Sequence, residues 1–110
     1  MKVAIVTGAS RGIGRACAIR LAQDGYTVVV NYAHSDTEAQ KVLDTIRENG
    51  GDGMLYRADV SKVEEVRAMM RDVSKAYGQI DVLVNNAGIV KDEYLLMLTP
   101  ETLDHCLDLN

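Results

Sequence analysis

Three glycines, Gly8, Gly12 and Gly14, lie in the segment TGASRGIG, between an apolar run at 3–6 and a helical pattern. A glycine-rich turn that leads into a helix presents backbone N–H groups and the positive end of the helix dipole, and both favour a phosphate. We assign Gly8 to the tight turn, Gly12 to close approach of the phosphates and Gly14 to packing of the helix on the strand. The spacing differs from the usual G-x-G-x-x-G, and glycines also form ordinary turns. The position between a buried strand and a helix favours a pyrophosphate site.

The choice between NAD and NADP depends on the residues that end the second strand-like run. An enzyme that prefers NAD usually carries an acid there, which binds the ribose hydroxyls and repels a 2′-phosphate. The stretch 28–35, VVVNYAHS, contains no acid, and the first to follow is Asp36. Arg11 can supply a positive charge at the same place, and His34 can assist it. Both side chains could equally be solvated surface groups, but the pattern favours NADP (NADPH).

The predicted cofactor site therefore draws on two segments. The glycine loop contributes Gly8, Ser10, Arg11, Gly12, Ile13 and Gly14. The end of the second strand contributes Asn31, Tyr32 and His34.

Charge and apolar pattern exclude several other classes. The 110 residues carry a formal net charge of -4, which argues against nucleic acid as a partner because a phosphate backbone attracts basic surfaces. No apolar run is long enough to span a bilayer, and the start lacks a signal-peptide pattern. Cys17 and Cys106 fit neither a metal nor a redox spacing, and the adjacent His105 and Cys106 would point in different directions on a helix. We expect a cytoplasmic protein without a metal and without a membrane or nucleic-acid partner.

Strand-like and helical patterns alternate along the chain and predict where these residues are placed. The strands are predicted at 3–7, 27–32, 54–59 and 80–85. Three of them are nearly continuous apolar runs, as in strands that are covered on both faces. Apolar stripes at helical spacing predict helices between the strands, which should stop at Gly25, Gly50 and Gly78.

The starts of the later helices carry sequence signals. Ser35 with Glu38, and Ser61 with Glu64, have the S-x-x-E spacing of a capping box. Thr99-Pro100 predicts the start of a fourth helix, with proline at its first position.

Right-handed crossovers convert this alternation into one α/β fold. It is a Rossmann-like, doubly wound parallel sheet in truncated form, with strand order 3-2-1-4 and helices on both faces. The order reverses between strands 1 and 4, and ligands bind at the carboxyl ends of the strands there. We interpret residues 1–110 as the N-terminal dinucleotide-binding part of a single Rossmann domain.

Three motifs together carry a family resemblance. TGASRGIG at 7–14, ADV at 58–60 and NNAG at 85–88 resemble the short-chain dehydrogenase/reductase family, and the stretch 84–110 is most similar to its beta-ketoacyl-acyl-carrier-protein reductases. The resemblance implies that Asp59 and Val60 contact the adenine ring. It also implies that Asn86, Ala87 and Gly88 line the adenosine ribose, although NNAG alone could be a strand-ending turn.

The resemblance also implies a catalytic set. In this family a hydride passes from the nicotinamide to a ketone carbon, and a tyrosine with a lysine four residues later gives the proton. A serine on a fifth strand orients the carbonyl, and an asparagine in the fourth helix supports a proton relay; Asn110 matches that asparagine. No tyrosine has a lysine four residues later; the five are Tyr26, Tyr32, Tyr56, Tyr77 and Tyr94. We expect this chain alone to be inactive.

Three hypotheses remain open. The first is the N-terminal half of an NADPH-dependent reductase, whose substrate in the complete enzyme is a small-molecule or acyl-carrier-linked ketone. The second is a small module that binds NADP without chemistry, and the third is an oligomerising scaffold. The outer edge of strand 4 has no partner in this interpretation, so we expect a homo-oligomer through strand 4, helix four or both.

Overall fold

The computed structural model describes residues 1–86 in full and the backbone of one further strand at 94–97. Strands and helices alternate through the first of these ranges, as the apolar patterns predict. The elements are β1 (Lys2–Val6), α1 (Gly12–Gln23), β2 (Tyr26–Tyr32), α2 (Asp36–Glu48), β3 (Gly53–Arg57), α3 (Val63–Tyr77), β4 (Val82–Asn85) and β5 (Tyr94–Met97).

Valine and isoleucine dominate β1 and β2, and these β-branched residues pack well on a pleated surface. The strands form one sheet in the order β3-β2-β1-β4-β5. β1 is central and pairs in parallel with both β2 (Ile5 opposite Val29) and β4 (Ile5 opposite Leu83). β3 pairs in parallel with the other side of β2. The predicted order 3-2-1-4 is confirmed.

The core consists of two apolar layers, one on each face of the sheet. Successive residues of a strand point to opposite faces, so each strand contributes to both layers. The layer under α3 contains Val3, Ile5, Val29, Ala58, Met69, Met70, Val73 and Ile80. The layer under α1 and α2 contains Val6, Ala9, Ala18, Val28, Val30, Ala39, Val42 and Ile46. Burial on both faces explains why these strands are continuous apolar runs.

The predicted helix ends are confirmed. α1, α2 and α3 each finish one or two residues before a glycine with a positive φ, respectively Gly25, Gly50 and Gly78. Gly78 is the C-cap of α3 in the left-handed conformation, and its N–H donates to the Ser74 carbonyl. A side chain at that φ would be strained, so glycine ends the helix at little cost.

The predicted capping boxes are wrong. Ser35 does precede α2, but its side chain makes no cap hydrogen bond. α3 begins at Val63 with Lys62 at its N-cap, so Ser61 lies one residue too early to cap the helix with its oxygen. The Ser61 hydroxyl donates to the carboxylate of Asp59 (2.6 Å).

The prediction that strand 4 has an unpaired outer edge is also wrong. β5 pairs with β4 in antiparallel orientation, with Val82 opposite Met97 and Asn85 opposite Tyr94. An apolar edge pairs with another strand where one is available, and here the same chain provides it. The argument for self-association through strand 4 therefore loses its structural basis. The predicted helix at Thr99-Pro100 lies outside the described residues.

One side-chain hydrogen bond joins α3 to the edge strand β3. The Tyr56 hydroxyl donates to the carboxylate of Asp72 (2.5 Å). Burial, and then the bond to this carboxylate and its charge, raise the pKa of Tyr56 to about 12. The neutral phenol is thus favoured in the folded state, so the stabilisation is complete below about pH 10 and is lost as the pH rises toward 12.

We expect Tyr56→Phe to lower the free energy of unfolding by about 1 kcal/mol at pH 8, because one hydrogen bond is lost. We also expect the variant to lose less stability than the wild type between pH 10 and pH 12. Urea unfolding across that pH range measures both effects. Tyr26→Phe is the matched control, since the Tyr26 hydroxyl has no hydrogen bond within residues 1–86. Identical pH slopes for wild type and Tyr56→Phe would contradict the assignment.

Candidate functional site

An open cleft of about 590 Å³ lies at the carboxyl ends of the parallel strands, where the strand order reverses. Its walls come from the loops that follow β1, β2 and β3 and from the residue after β4. The predicted cofactor residues found in its lining are Gly8, Ser10, Arg11, Gly12, Ile13, Asn31, Tyr32, His34, Asp59, Val60 and Asn86. Gly14 is buried behind the lining, while Ala87, Gly88 and Asn110 lie outside the described residues.

The glycine loop approaches the cleft with its backbone. Gly8 (φ 59°) and Gly12 (φ 62°) both have the left-handed conformation that glycine adopts without strain. A Cβ built on Gly12 would meet nothing within 4 Å, so this backbone is open on the cleft side. The prediction that Gly12 leaves room for a ligand is consistent with this space.

The start of α1 differs from the other helix starts in charge. Side-chain caps do not distinguish them, because none of the three helix starts among residues 1–86 has one. α2 and α3 each carry acids in the first turn, whereas α1 carries none. The partial positive charge at the start of α1 is therefore not offset by a neighbouring carboxylate in that turn, which suits an anion.

Gly14 is the point of closest approach between α1 and the loop that precedes it. A Cβ on this residue would overlap the carbonyl oxygen of Gly8 and lie 2.5 Å from Nδ2 of Asn86. Gly14 does pack closely, but its contacts are with the loop backbone and an asparagine, whereas the sequence predicts packing of the helix on the strand. Gly14 therefore sets how near the start of α1 lies to the end of β4.

A hydroxyl group joins the ends of β1 and β4. The Thr7 Oγ1 accepts from the backbone N–H of Asn86 (2.8 Å) and lies 3.1 Å from Oδ1 of Asn85, to which it donates. The Asn86 side chain in turn donates from Nδ2 to the Gly8 carbonyl (3.3 Å). The asparagine pair of NNAG thus ties the strand ends together, and Asn86 also forms part of the cleft wall.

Asn31 is the most deeply buried polar side chain of the site, with 2% of its surface exposed. Its Oδ1 accepts from the Gly8 backbone N–H (3.3 Å). Its Nδ2 donates to the carbonyls of Tyr56 and Ala58, both at 3.2 Å. The protein itself uses this amide, so direct contact between the Asn31 side chain and a cofactor remains a prediction.

Asp59 is the one acid that lines the described cleft. Its carboxylate accepts from the hydroxyl and from the backbone N–H of Ser61, at 2.6 and 3.0 Å. These bonds, together with the positive charges of Lys62 and His34, lower the pKa of Asp59. The carboxylate is thus held ionised and oriented, and it can accept a further hydrogen bond from a ligand amino group.

The mouth of the cleft carries two basic residues, Arg11 and His34, both exposed. Asp36, the first acid after β2, does not line the cleft. It lies instead beside Tyr32, where burial first, and then the charge and hydrogen bond of Asp36, raise the pKa of the tyrosine. The Nε of Arg57 donates to the Ala33 carbonyl (3.2 Å) and so braces the loop that carries His34.

Four lining residues were not predicted, namely Ala33, Ser35, Ala58 and Ser61. Each is a sequence neighbour of a predicted residue, which is the signal that could have found them. The S-x-x-E spacing predicts that Ser35 and Ser61 cap helices, and a capping role gives no indication that they line the cleft.

Other site types receive no support within residues 1–86. No three histidine, cysteine, aspartate or glutamate side chains lie where they could hold a metal ion. The described helices include none that is long and apolar enough to cross a membrane. His105 and Cys106 lie outside this range.

We expect Gly14→Ala to lower the free energy of unfolding by about 1–3 kcal/mol, because the new methyl group overlaps a backbone carbonyl that cannot rotate away. Gln23→Ala, an exposed position at the end of the same helix, should change it by less than about 0.5 kcal/mol. Urea denaturation of both variants makes the comparison. Equal stabilities would mean that α1 can move away from Gly8 freely.

Comparison with known proteins agrees with this geometry. The family model described as short chain dehydrogenase matches residues 2–110. The 3-oxoacyl-[acyl-carrier-protein] reductase FabG of Staphylococcus aureus is 46% identical over 109 residues, which are 99% of this chain and 44% of the relative. The 3-oxoacyl-[acyl-carrier-protein] reductase of Synechocystis is 47% identical, again over 99% of this chain and 44% of the relative.

A solved structure shows the same fold. A dehydrogenase/reductase from Sinorhizobium meliloti superimposes with a TM-score of 0.77 at 43% identity, covering 80% of this chain and 35% of that one. The chain thus spans less than half the length of the relatives it matches. The resemblance inferred from TGASRGIG, ADV and NNAG is confirmed, and the chain belongs to the short-chain dehydrogenase family.

Proposed function

We propose that this chain binds NADPH and forms the cofactor-binding part of a reductase that acts on an acyl-carrier-linked 3-oxo group. The observation that carries the proposal is the cleft itself. It joins an open glycine loop at the start of α1 to a basic mouth formed by Arg11 and His34. The substrate class rests on the relatives, two of which are named 3-oxoacyl-[acyl-carrier-protein] reductases.

The lining residues fit a dinucleotide in shape and charge. The loop from Ser10 to Ile13 offers backbone N–H groups and no acid, which suits a pyrophosphate, whereas the N–H groups of Gly8 and Ala9 are bonded to Asn31. Asp59, held by Ser61, provides an acceptor for the adenine amino group, and Val60 provides an apolar contact for the ring. Asn86, followed in sequence by Ala87 and Gly88, would line the ribose. The bound cofactor would supply the hydride for reduction.

Preference for NADPH over NADH follows from charge. A 2′-phosphate needs positive groups and tolerates no nearby unpaired carboxylate. Arg11 and His34 supply the positive groups. Asp36 lies outside the cleft beside Tyr32, and the charge of Asp59 is offset by those of Lys62 and His34. We therefore place the 2′-phosphate between Arg11 and His34.

Reduction needs more than binding. The family's proton donor is a tyrosine with a lysine four residues later, and no tyrosine of residues 1–110 has one. We propose that the chain alone binds the cofactor without reducing a ketone, and that Asn110 acts only together with the serine, tyrosine and lysine of a complete active site.

The test is a fluorescence titration of the 110-residue chain with NADPH and, separately, with NADH. We expect micromolar binding of NADPH and weaker binding of NADH. Arg11→Gln should weaken NADPH binding by about tenfold or more, as expected for loss of a charged hydrogen bond, and should leave NADH binding unchanged. Arg20→Gln is the control, because Arg20 pairs with Asp24 at the other end of α1.

Two results of this titration would contradict the proposal. Equal affinity for the two cofactors, or an equal loss for both in Arg11→Gln, would overturn the assignment of the 2′-phosphate. Absence of any binding by a chain that circular dichroism shows to be folded would overturn cofactor binding by this part. The hypothesis of an oligomerising scaffold would then be favoured, and light scattering would test it directly.

A further inference from the structure

One buried amide connects the two halves of the cleft. Asn31 lies in β2, between the glycine loop after β1 and the end of β3. Its side-chain oxygen accepts a hydrogen bond from the Gly8 N–H, and its side-chain nitrogen donates to the carbonyls of Tyr56 and Ala58. The Asn31 side chain, 2% exposed, makes three hydrogen bonds. Its oxygen accepts one, and each of its two N–H groups donates one.

The groups that Asn31 joins have different proposed partners. Gly8 begins the loop that we assign to the pyrophosphate. Ala58 directly precedes Asp59 and Val60, which we assign to the adenine. A second link runs parallel to the first, because the Ala9 N–H donates to the backbone carbonyl of Asn31 (2.9 Å). Asn31 thus links the two assigned segments through both its side chain and its backbone, beside one further bond from the Ala58 N–H to the Tyr32 carbonyl (3.0 Å).

The chemistry of the position selects an amide. A leucine of similar size would leave the Gly8 N–H and two carbonyls without these partners in a buried place, which is costly. An aspartate would accept from Gly8 but would turn a negative oxygen toward two carbonyl oxygens. A short side chain that offers one acceptor and two donors is needed here, and asparagine supplies it.

We propose that Asn31 is a positioning residue for the dinucleotide: it holds the pyrophosphate loop and the adenine segment at the spacing that one NADPH molecule spans. The inference rests on the proposed function, because that function gives the two segments their ligand groups. It also changes the role predicted from the sequence. Asn31 acts through Gly8 and Ala58, while residues at the cleft surface contact the cofactor.

This role makes a prediction that general destabilisation does not. A ligand that spans both segments depends on their spacing, whereas a ligand that occupies only one does not. In Asn31→Ala we expect NADPH to bind about tenfold or more weakly, which corresponds to one or more lost hydrogen bonds. Adenosine, which carries neither the pyrophosphate nor the 2′-phosphate and so reaches neither Gly8 nor Arg11, should change by less than about threefold. Fluorescence serves for NADPH and NMR shifts serve for the nucleoside.

Two further variants keep the test informative. Asn31→Ser shortens the side chain but keeps a hydroxyl that can serve one of the three partners, so it should fold where alanine does not and should show a smaller loss of the same kind. Val73→Ala is the control for stability, because Val73 is fully buried in the layer under α3 and does not line the cleft. It should leave both ligand affinities unchanged as long as the chain is folded.

Amide hydrogen exchange tests the link without any ligand. Loss of Asn31 Oδ1 should accelerate exchange of the Gly8 amide by about tenfold or more beyond the change seen in Val73→Ala, since its acceptor is gone. Unchanged Gly8 exchange, or equal weakening of both ligands, would overturn the positioning role. If the wild type bound no dinucleotide, the proposed function would fail, and faster Gly8 exchange would then support the structural link alone.

Discussion

Parallel pairing of β1 on both of its sides is the constraint on which the cleft depends. Because β2 and β4 both run parallel to β1, all three strands end at the same edge of the sheet. The chain leaves β1 toward α1, which packs with α2 on one face, while α3 packs on the other. A crevice must open between the two connections, and the loops after the strands become its walls. The chemistry of the site is then a matter of which residues occupy these few loop positions.

The polar groups at this edge are divided between holding the fold and facing the cleft. Thr7, Asn31 and the side chain of Asn86 are bonded to backbone groups of neighbouring strands and loops. Arg11 and His34 are exposed at the mouth. Burial of the first group fixes the backbone, so the loop amides and the basic side chains occupy defined places relative to one another. An overall negative chain can thus present a locally positive end to an anion.

Much of this arrangement could be predicted from the sequence because its signals are local. Apolar runs, helical stripes and the glycines at 25, 50 and 78 lie within a few residues of the structure that they determine. The wrong predictions concern the exact start of a helix and the pairing of an edge. Ser61 has the spacing of a cap, but α3 begins one residue later with Lys62 at its N-cap, and β5 pairs with an edge that the periodicity left open. The bonds of the Asn31 amide to the Tyr56 and Ala58 carbonyls had no local signal, because they depend on β3, which is distant in sequence. The positions of Ser35 and Ser61 in the cleft lining likewise follow from the geometry of their loops, which the spacing of residues in the sequence does not predict.

The central strand also determines the order in which the sheet can be completed. β1 meets β2 after one helix, but its other partner, β4, arrives only after α2, β3 and α3 have been made. During synthesis the three-stranded part β3-β2-β1 can therefore assemble while one side of β1 still lacks a partner. Pairing across so long a stretch of chain is entropically slow. The Thr7–Asn86 link forms only at that last step, so the wall of the cleft closes late, and the nascent chain exposes the apolar edge of its central strand until then.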